Sequence, residues 1–297
     1  MKTINRVAIA GGVHGNELTG AYLVKKFLQT PALVQRSNFD TVSLLGNPKA
    51  VEARQRYIDT DLNRCFLQDL LNNPTSDSYE ASRAKSIRQM LGGKGVVGDR
   101  PVDFILDLHS TTANMGLTLI LVNEHPFNLK LAAYLSGLNP KVRIYRWLKP
   151  GTENAFLNSL CELGLSIEVG AIAQGTLDAR LFLETEALVS ATLDYLEAVN
   201  RGNPPEVSSE ITLYQYLDIV DYPKDETGEI QGMIHPQLQG RDYEPLSPGD
   251  PMFLTFDGET ITYQGTAIAY PIFINEAAYY EKGIAICLTQ KISQKIT

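Results

Sequence analysis

Apolar positions in the first two hundred residues follow two alternating rhythms. Short, nearly continuous runs predict strands: RVAIA (6–10), DTVSLLGN (40–47), VDFILDLH (102–109), GLTLILVN (116–123) and LSIEVG (165–170). Between them, apolar residues recur every three or four positions, which predicts helices. These are LTGAYLVKKFLQ (18–29), SYEASRAKSIRQMLGG (78–93, stopping at Gly92), FNLKLAAYLSGL (127–138), ENAFLNSLCELG (153–164) and ETEALVSATLDYLEAVNRG (184–202). The run at 102–109 suits a strand covered on both faces, and the alternation implies an α/β sheet with helices on both sides. RGNPPE (201–206) breaks the rhythm. Beyond it, ITLYQYLDIV, MFLTF, TITYQG and AIAYPIFIN are β-type runs separated by turn residues. Two domains are expected, 1–203 and a smaller β-rich one at 204–297.

The 297 residues are 44% apolar and 20% charged, within the range of ordinary globular proteins. A net charge of −8 argues against a nucleic-acid partner, which needs a basic face. No run approaches the roughly 18 apolar residues of a membrane span, and MKTINRVAIA is too short in apolar residues for a signal peptide. Cys65, Cys161 and Cys287 are odd in number and form no C-x-x-C pair, so a reducing, cytoplasmic location is expected.

Only four histidines occur, and one stands in the glycine-rich turn GGVHGNE just after the first predicted strand. The glycine spacing matches no phosphate-binding loop. His14 and Glu17 are then either solvated polar residues of a connection or two ligands of a metal. A catalytic zinc site takes three protein ligands, commonly two His and a carboxylate. His109 ends the most convincing strand, and sites in open α/β sheets form beyond strand carboxyl ends. His14, Glu17 and His109 converge if those two strands are neighbours. His125 and His235 each precede proline and read as exposed turn residues. Asp107 either orients a ligand or is an ordinary satisfied strand-end residue. RYIDTDLNRCF (56–66) carries Arg56, Asp59, Asp61, Asn63 and Arg64, which suits either an anionic substrate or a surface loop with local ion pairs. Glu168 sits among apolar residues; it either faces water by strand alternation or is a general base whose pKa burial lifts.

Taken together, GGVHGNELTG (11–20), RYIDTDLNR (56–64), DLHSTTANMG (107–116), IEVG (167–170), VDYPKDETGEI (220–230), HPQLQ (235–239), LSPGDPMFLT (246–255) and YPIFINEAAYYEK (270–282) resemble the aspartoacylase family. These are zinc-dependent N-acyl amino acid deacylases related to zinc carboxypeptidases. The match spans nearly the whole chain in family order. It implies a carboxypeptidase-like mixed sheet flanked by helices, with the C-terminal β-rich domain covering the active-site entrance. It implies one Zn2+ per subunit on His14, Glu17 and His109, and Glu168 as general base on zinc-bound water. Arg56 would polarise the scissile carbonyl, Asn63 and Arg64 would hold the substrate α-carboxylate, and Tyr279 would reach in from the second domain. Glu276 would be a structural or gating partner. The implied activity is cleavage of a small anionic N-acyl amino acid, first N-acetyl-L-aspartate to aspartate and acetate. Aromatic or succinyl N-acyl amino acids are the alternative, followed by peptide carboxypeptidase activity and a non-catalytic metal- or ligand-binding protein. A homodimer or larger homo-oligomer is also implied. The chain departs from the family at Asn158, the substrate-binding position where an Arg is expected ten residues before Glu168. A neutral amide cannot form a charged fork. Arg143, Arg146 and Lys149 are the nearby cations that could replace it.

Overall fold

Strand β1 (Arg6–Gly11) is apolar on both faces because it is covered on both. Val7 and Ile9 join one core, and Ala8 and Ala10 join the opposite one. The computed structural model describes residues 3–75, 77–148 and 155–296. After β1 come α1 (Leu18–Gln29), β2 (Asp40–Leu45), α2 (Pro48–Ala53), α3 (Gln68–Asn72), α4 (Tyr79–Leu91), β3 (Phe104–Ser110) and β4 (Gly116–Leu121). Then follow α5 (Pro126–Leu138), β5 (Val142–Arg146), β6 (Gly164–Gly170) and α6 (Ala179–Asn200). The remainder is β7 (Glu210–Val220), β8 (Gly232–Ile234), β9 (Pro251–Thr255), β10 (Thr260–Thr262), β11 (Tyr270–Ile272) and β12 (Ile286–Lys295).

Nine strands form one mixed sheet in the order β11-β12-β7-β5-β4-β6-β3-β1-β2. Phe27 of α1, Leu131 of α5 and Leu193 of α6 fill one side, while Ala84, Ile87 and Leu91 of α4 fill the other. Side-chain caps fix the helix starts: Ser78 Oγ accepts from Ala81 N, and Asp178 Oδ1 accepts from Leu181 N. Gly92 at φ 80° ends α4, where a side chain would strain. Strands β1, β3 and β6 are parallel neighbours, so their carboxyl ends lie together. Their register pairs Asp107 with Ser166 and His109 with Glu168, which puts these four side chains on one face.

The strand after the RGNPPE breaker does not stay apart. β7 pairs in parallel with β5 through Tyr145–Tyr214 and Arg146–Gln215, and β12 and β11 extend the same sheet. Strands β8, β9 and β10 form a separate antiparallel sheet beside it. Tyr222, Ile234, Leu246, Phe253 and Ile286 make a core of their own there.

The stretch ENAFLNSLCELG, expected as a helix, folds otherwise in its described part. Only a 3-10 turn, Leu157–Leu160, forms before β6 begins at Gly164. Ile105 N bonds to Leu163 O, so the chain is already committed to the sheet there. Leu157 and Leu160 are buried without the turns a helix would need. Among the described residues, no helix is long and apolar enough to cross a membrane.

Candidate metal centre and its cavity

Two glycines of GGVHGNELTG let the chain close around the site. A Cβ on Gly15 would lie 2.0 Å from the carbonyl carbon of Ala50, so the His14 turn presses directly on α2. The Gly15 N–H donates to Arg56 O at 3.1 Å, tying this turn to the 56–64 segment. On α1, a Cβ on Gly20 would meet Leu108 O at 2.6 Å. Glycine here allows the start of α1, with Glu17 as its N-cap, to approach the end of β3.

The result is a buried cluster. Donor atoms of His14, Glu17 and His109 lie within 4.8 Å of one another. His14 Nδ1 is 2.6 Å from Glu17 Oε1, and His109 Nδ1 is 2.9 Å from Glu17 Oε2. Both Nε2 atoms turn to other carboxylates: His14 to Asp61 Oδ1 at 2.9 Å and His109 to Asp107 Oδ2 at 2.8 Å. Metal-ligating imidazoles typically donate their second N–H to such a carboxylate, which fixes tautomer and orientation. Two imidazoles so held, with one carboxylate between them, suit a divalent cation that keeps an open coordination position. Asp107 thus faces His109 and is fully buried. Burial alone would raise the Glu17 pKa, but His14 and His109 hold it well below the usual carboxylate range. Burial likewise opposes ionisation of Asp61, and His14, Arg56 and Lys282 overcome it.

Above the cluster opens a cavity of about 600 Å3 including its mouth. Its floor carries His14, Arg56, Asn63, Arg64, His109, Ser166 and Glu168; its wall is aromatic, with Tyr145, Trp147, Phe156, Phe273 and Tyr279. All seven residues of β6 are buried, so Glu168 does not face bulk water by strand alternation. Burial, then the Glu17 carboxylate, push its pKa well above the ordinary value, with His109 and Arg56 opposing. Arg56 reaches Glu17 Oε1 at 3.2 Å and Asp61 Oδ2 at 3.3 Å. Asn63 lies 3.2 Å from His109 Nε2, and its Oδ1 accepts from Leu157 N. Arg64 donates to Asn63 O and stacks 5.1 Å from the Phe156 ring centre. Tyr279, from the C-terminal part, packs against Phe273.

Asn158 is not among the residues lining the cavity. It lies behind Ser166, donating to Ser166 Oγ at 3.2 Å, so the cavity meets the serine. Arg146 does not replace the expected cation: it bonds Glu124, Gln215 and Gln294. Arg143 donates to Pro140 O and lines a different surface hollow. Lys149 lies outside the described residues. His125 caps α5 and His235 Nδ1 accepts from Gln237 N, both remote from the cluster. Glu276 binds Thr112 N and Ala113 N, in the loop after His109. Asp59 serves α4, accepting from Tyr79 N, while Asp61 alone of that pair turns to His14. Sequence reasoning passed over that role of Asp61, as well as Ser166, Lys282 and, Tyr279 apart, the aromatic wall. The alternation that put Glu168 on the His109 face also marks Ser166, two residues earlier; nothing local marks the rest.

Comparison with known proteins agrees with this geometry. Residues 3–196 match the succinylglutamate desuccinylase/aspartoacylase catalytic domain, and residues 209–291 match the AstE/AspA barrel-sandwich hybrid domain. The chain is 60% identical over 296 residues to a probable aspartoacylase of Trichodesmium erythraeum, covering 100% of both. It is 44% identical to the N-acyl-aromatic-L-amino acid amidohydrolase (carboxylate-forming) of Rattus norvegicus, covering 98% of this chain and 92% of that one. The crystal structure of murine aminoacylase 3 superposes with a TM-score of 0.93 at 41% identity, over 100% of this chain and 98% of that one.

Proposed function

The chain belongs to the succinylglutamate desuccinylase/aspartoacylase family, and from that premise we propose that it hydrolyses the amide of N-acyl-L-amino acids whose side chain is uncharged, aromatic ones first. The observation that carries this is the meeting of His14, Glu17, His109 and Glu168 on the floor of an aromatic-walled cavity that holds two guanidiniums.

His14, Glu17 and His109 would hold one Zn2+ per chain, which would supply a Lewis acid and lower the pKa of water at the site. Glu168 takes a proton from the attacking water as its oxygen adds to the acyl carbon. Burial and the Glu17 carboxylate raise the proton affinity of Glu168, the direction a general base requires. When the C–N bond breaks, Glu168 returns the proton to the leaving nitrogen, giving a carboxylate and a free amino acid. Arg56 donates to the oxygen on which negative charge develops, and such a donor is worth about 3 kcal/mol. Arg64 grips the substrate α-carboxylate, steadied by Asn63 and the Phe156 ring. Ser166, backed by Asn158, adds a neutral hydroxyl. Tyr279 closes the wall opposite.

Among the described residues, Arg56 and Arg64 are the cations lining the cavity. With one on the carbonyl and one on the α-carboxylate, neither is left for a second carboxylate. The second reading, N-acetyl-L-aspartate, is favoured by relatives named probable aspartoacylase at 58–60% identity. Both readings are tested on one zinc-assayed preparation with N-acetyl-L-phenylalanine, N-acetyl-L-tyrosine and N-acetyl-L-aspartate, before and after chelation. The expected result is a kcat/KM at least about tenfold higher for the aromatic substrates, abolished by chelator and restored by zinc. A preference for aspartate establishes the second reading, and no turnover of any of them removes both.

A further inference from the structure

Lys282 ends a 3-10 turn, Ala277–Lys282, in the part of the chain that matches the barrel-sandwich hybrid domain. It stands far in sequence from His14, Glu17 and His109. Its Nζ nevertheless donates to Asp61 Oδ2 at 2.8 Å, with Asp61 6% and Lys282 23% exposed. The other oxygen of Asp61 faces His14 Nε2 at 2.9 Å, and His14 Nδ1 faces Glu17. A line of charge-assisted contacts therefore joins the C-terminal part of the chain to the first imidazole of the cluster.

We infer that Lys282 is a positioning residue of the metal centre: it holds Asp61 so that Asp61 holds His14 in its ligating orientation. The inference rests on reading His14, Glu17 and His109 as a metal site. A carboxylate that orients an imidazole with one oxygen turns freely unless the other oxygen is also held. Arg56 shares Asp61 Oδ2, but at 3.3 Å, and spreads its nitrogens over Asp61, Glu17 and His14 Nε2, the last at 3.0 Å. Asn63 N also donates to Asp61, but to Oδ1 at 3.0 Å; once Arg56 turns toward a substrate carbonyl, Lys282 is the donor that stays on Oδ2. The turn that carries Lys282 is itself pinned. Tyr57 OH donates to both Glu281 oxygens at 2.9 Å, and Glu276 Oε1 accepts from Ala278 N at 3.0 Å. Lys282 Nζ also sits 5.7 Å from the centre of the Tyr279 ring.

Positioning and plain charge counting predict opposite signs. Removing a positive charge beside a cation site strengthens cation binding by simple electrostatics. Releasing Asp61 and His14 weakens it, and loss of an outer partner typically costs about ten- to a hundredfold in affinity. The test is zinc affinity of the full chain, stripped by chelation and titrated in competition with a chromophoric chelator. The stripped proteins are first compared by circular dichroism and Tm. The parent is expected to bind one zinc per chain, K282M to bind it about tenfold more weakly, and K282R to recover most of the loss because it keeps charge and donor. K282Q is the second truncation should K282M not fold. D61N should weaken binding at least as much, and the double variant K282M/D61N no further than D61N alone, since both act on one line. Unchanged or tighter binding in K282M or K282Q, or additive losses in the double variant, overturns the inference while leaving the metal site standing. A parent that takes up no zinc overturns the metal reading itself.

Discussion

At the floor of the cavity each imidazole of His14 and His109 has one nitrogen on Glu17 and the other on an aspartate. On the wall the Tyr145 hydroxyl has no hydrogen-bond partner among the described residues, while at and behind the floor Asp107 Oδ1, Arg56 Nε and Asn158 Oδ1 each lack one. The floor is held from several directions at once: the turn after β1 through His14, the N-cap of α1 through Glu17, β3 through His109, and the 56–64 segment through Asp61 and Arg56. On the wall ring packs on ring, Tyr145 on Trp147 and Phe273, and Trp147 on Phe156 and Tyr216. The difference separates two tasks. Chemistry needs donors fixed to fractions of an ångström. Recognition of an apolar side chain needs area and shape, and tolerates an adjustable lining.

Three measurements press on that contrast. The largest effect is expected at the floor. Glu168→Gln keeps the cavity shape and the three metal-binding side chains but cannot accept a proton, so kcat should fall by roughly 1,000-fold with zinc content unchanged. Activity within about tenfold of the parent would remove Glu168 as base. Where floor meets wall, Arg64→Met removes the charge but keeps a side chain to pack on Phe156. It should raise KM for N-acyl amino acids roughly thirtyfold, about 2 kcal/mol, with little change in kcat. A fall in kcat at constant KM would move Arg64 from binding into the chemistry. The smallest effect belongs to the wall. Tyr145→Phe deletes a buried hydroxyl that lacks a protein partner. It should raise unfolding free energy in denaturant by about 1 kcal/mol and change kcat/KM less than about threefold. A loss of stability would mean the wall is bonded as tightly as the floor.

The local chemistry of the floor was readable in the chain. GGVHGNE gave a His and a Glu three apart after a strand, and VDFILDLH ended a second strand on His109. Whether Glu168 pointed to water or to the site was open on alternation alone, because one residue either way reverses the face. The β3–β6 register, His109 beside Glu168, settles which side it occupies. RYIDTDLNR read as either a substrate-binding segment or an exposed charged loop, and that ambiguity was physical. Asp59 and Asp61 are chemically identical, yet one serves a helix start and the other an imidazole. ENAFLNSLCELG carried a helical spacing that the start of β6 overrode. ITLYQYLDIV was legible as a strand but not as the partner of β5.

What the sequence determined by itself is whatever neighbours along the chain decide: strand and helix periods, capping serines and aspartates, glycines beside a crowded turn, and the residue types a metal prefers. What only the tertiary structure decided is which strands lie side by side, that Asn158 stands behind Ser166, and that Lys282 meets Asp61. Backbone geometry and side-chain period act over a few residues and are written locally. Contacts between residues 221 positions apart depend on how nine strands and their crossovers pack, and no local pattern encodes that.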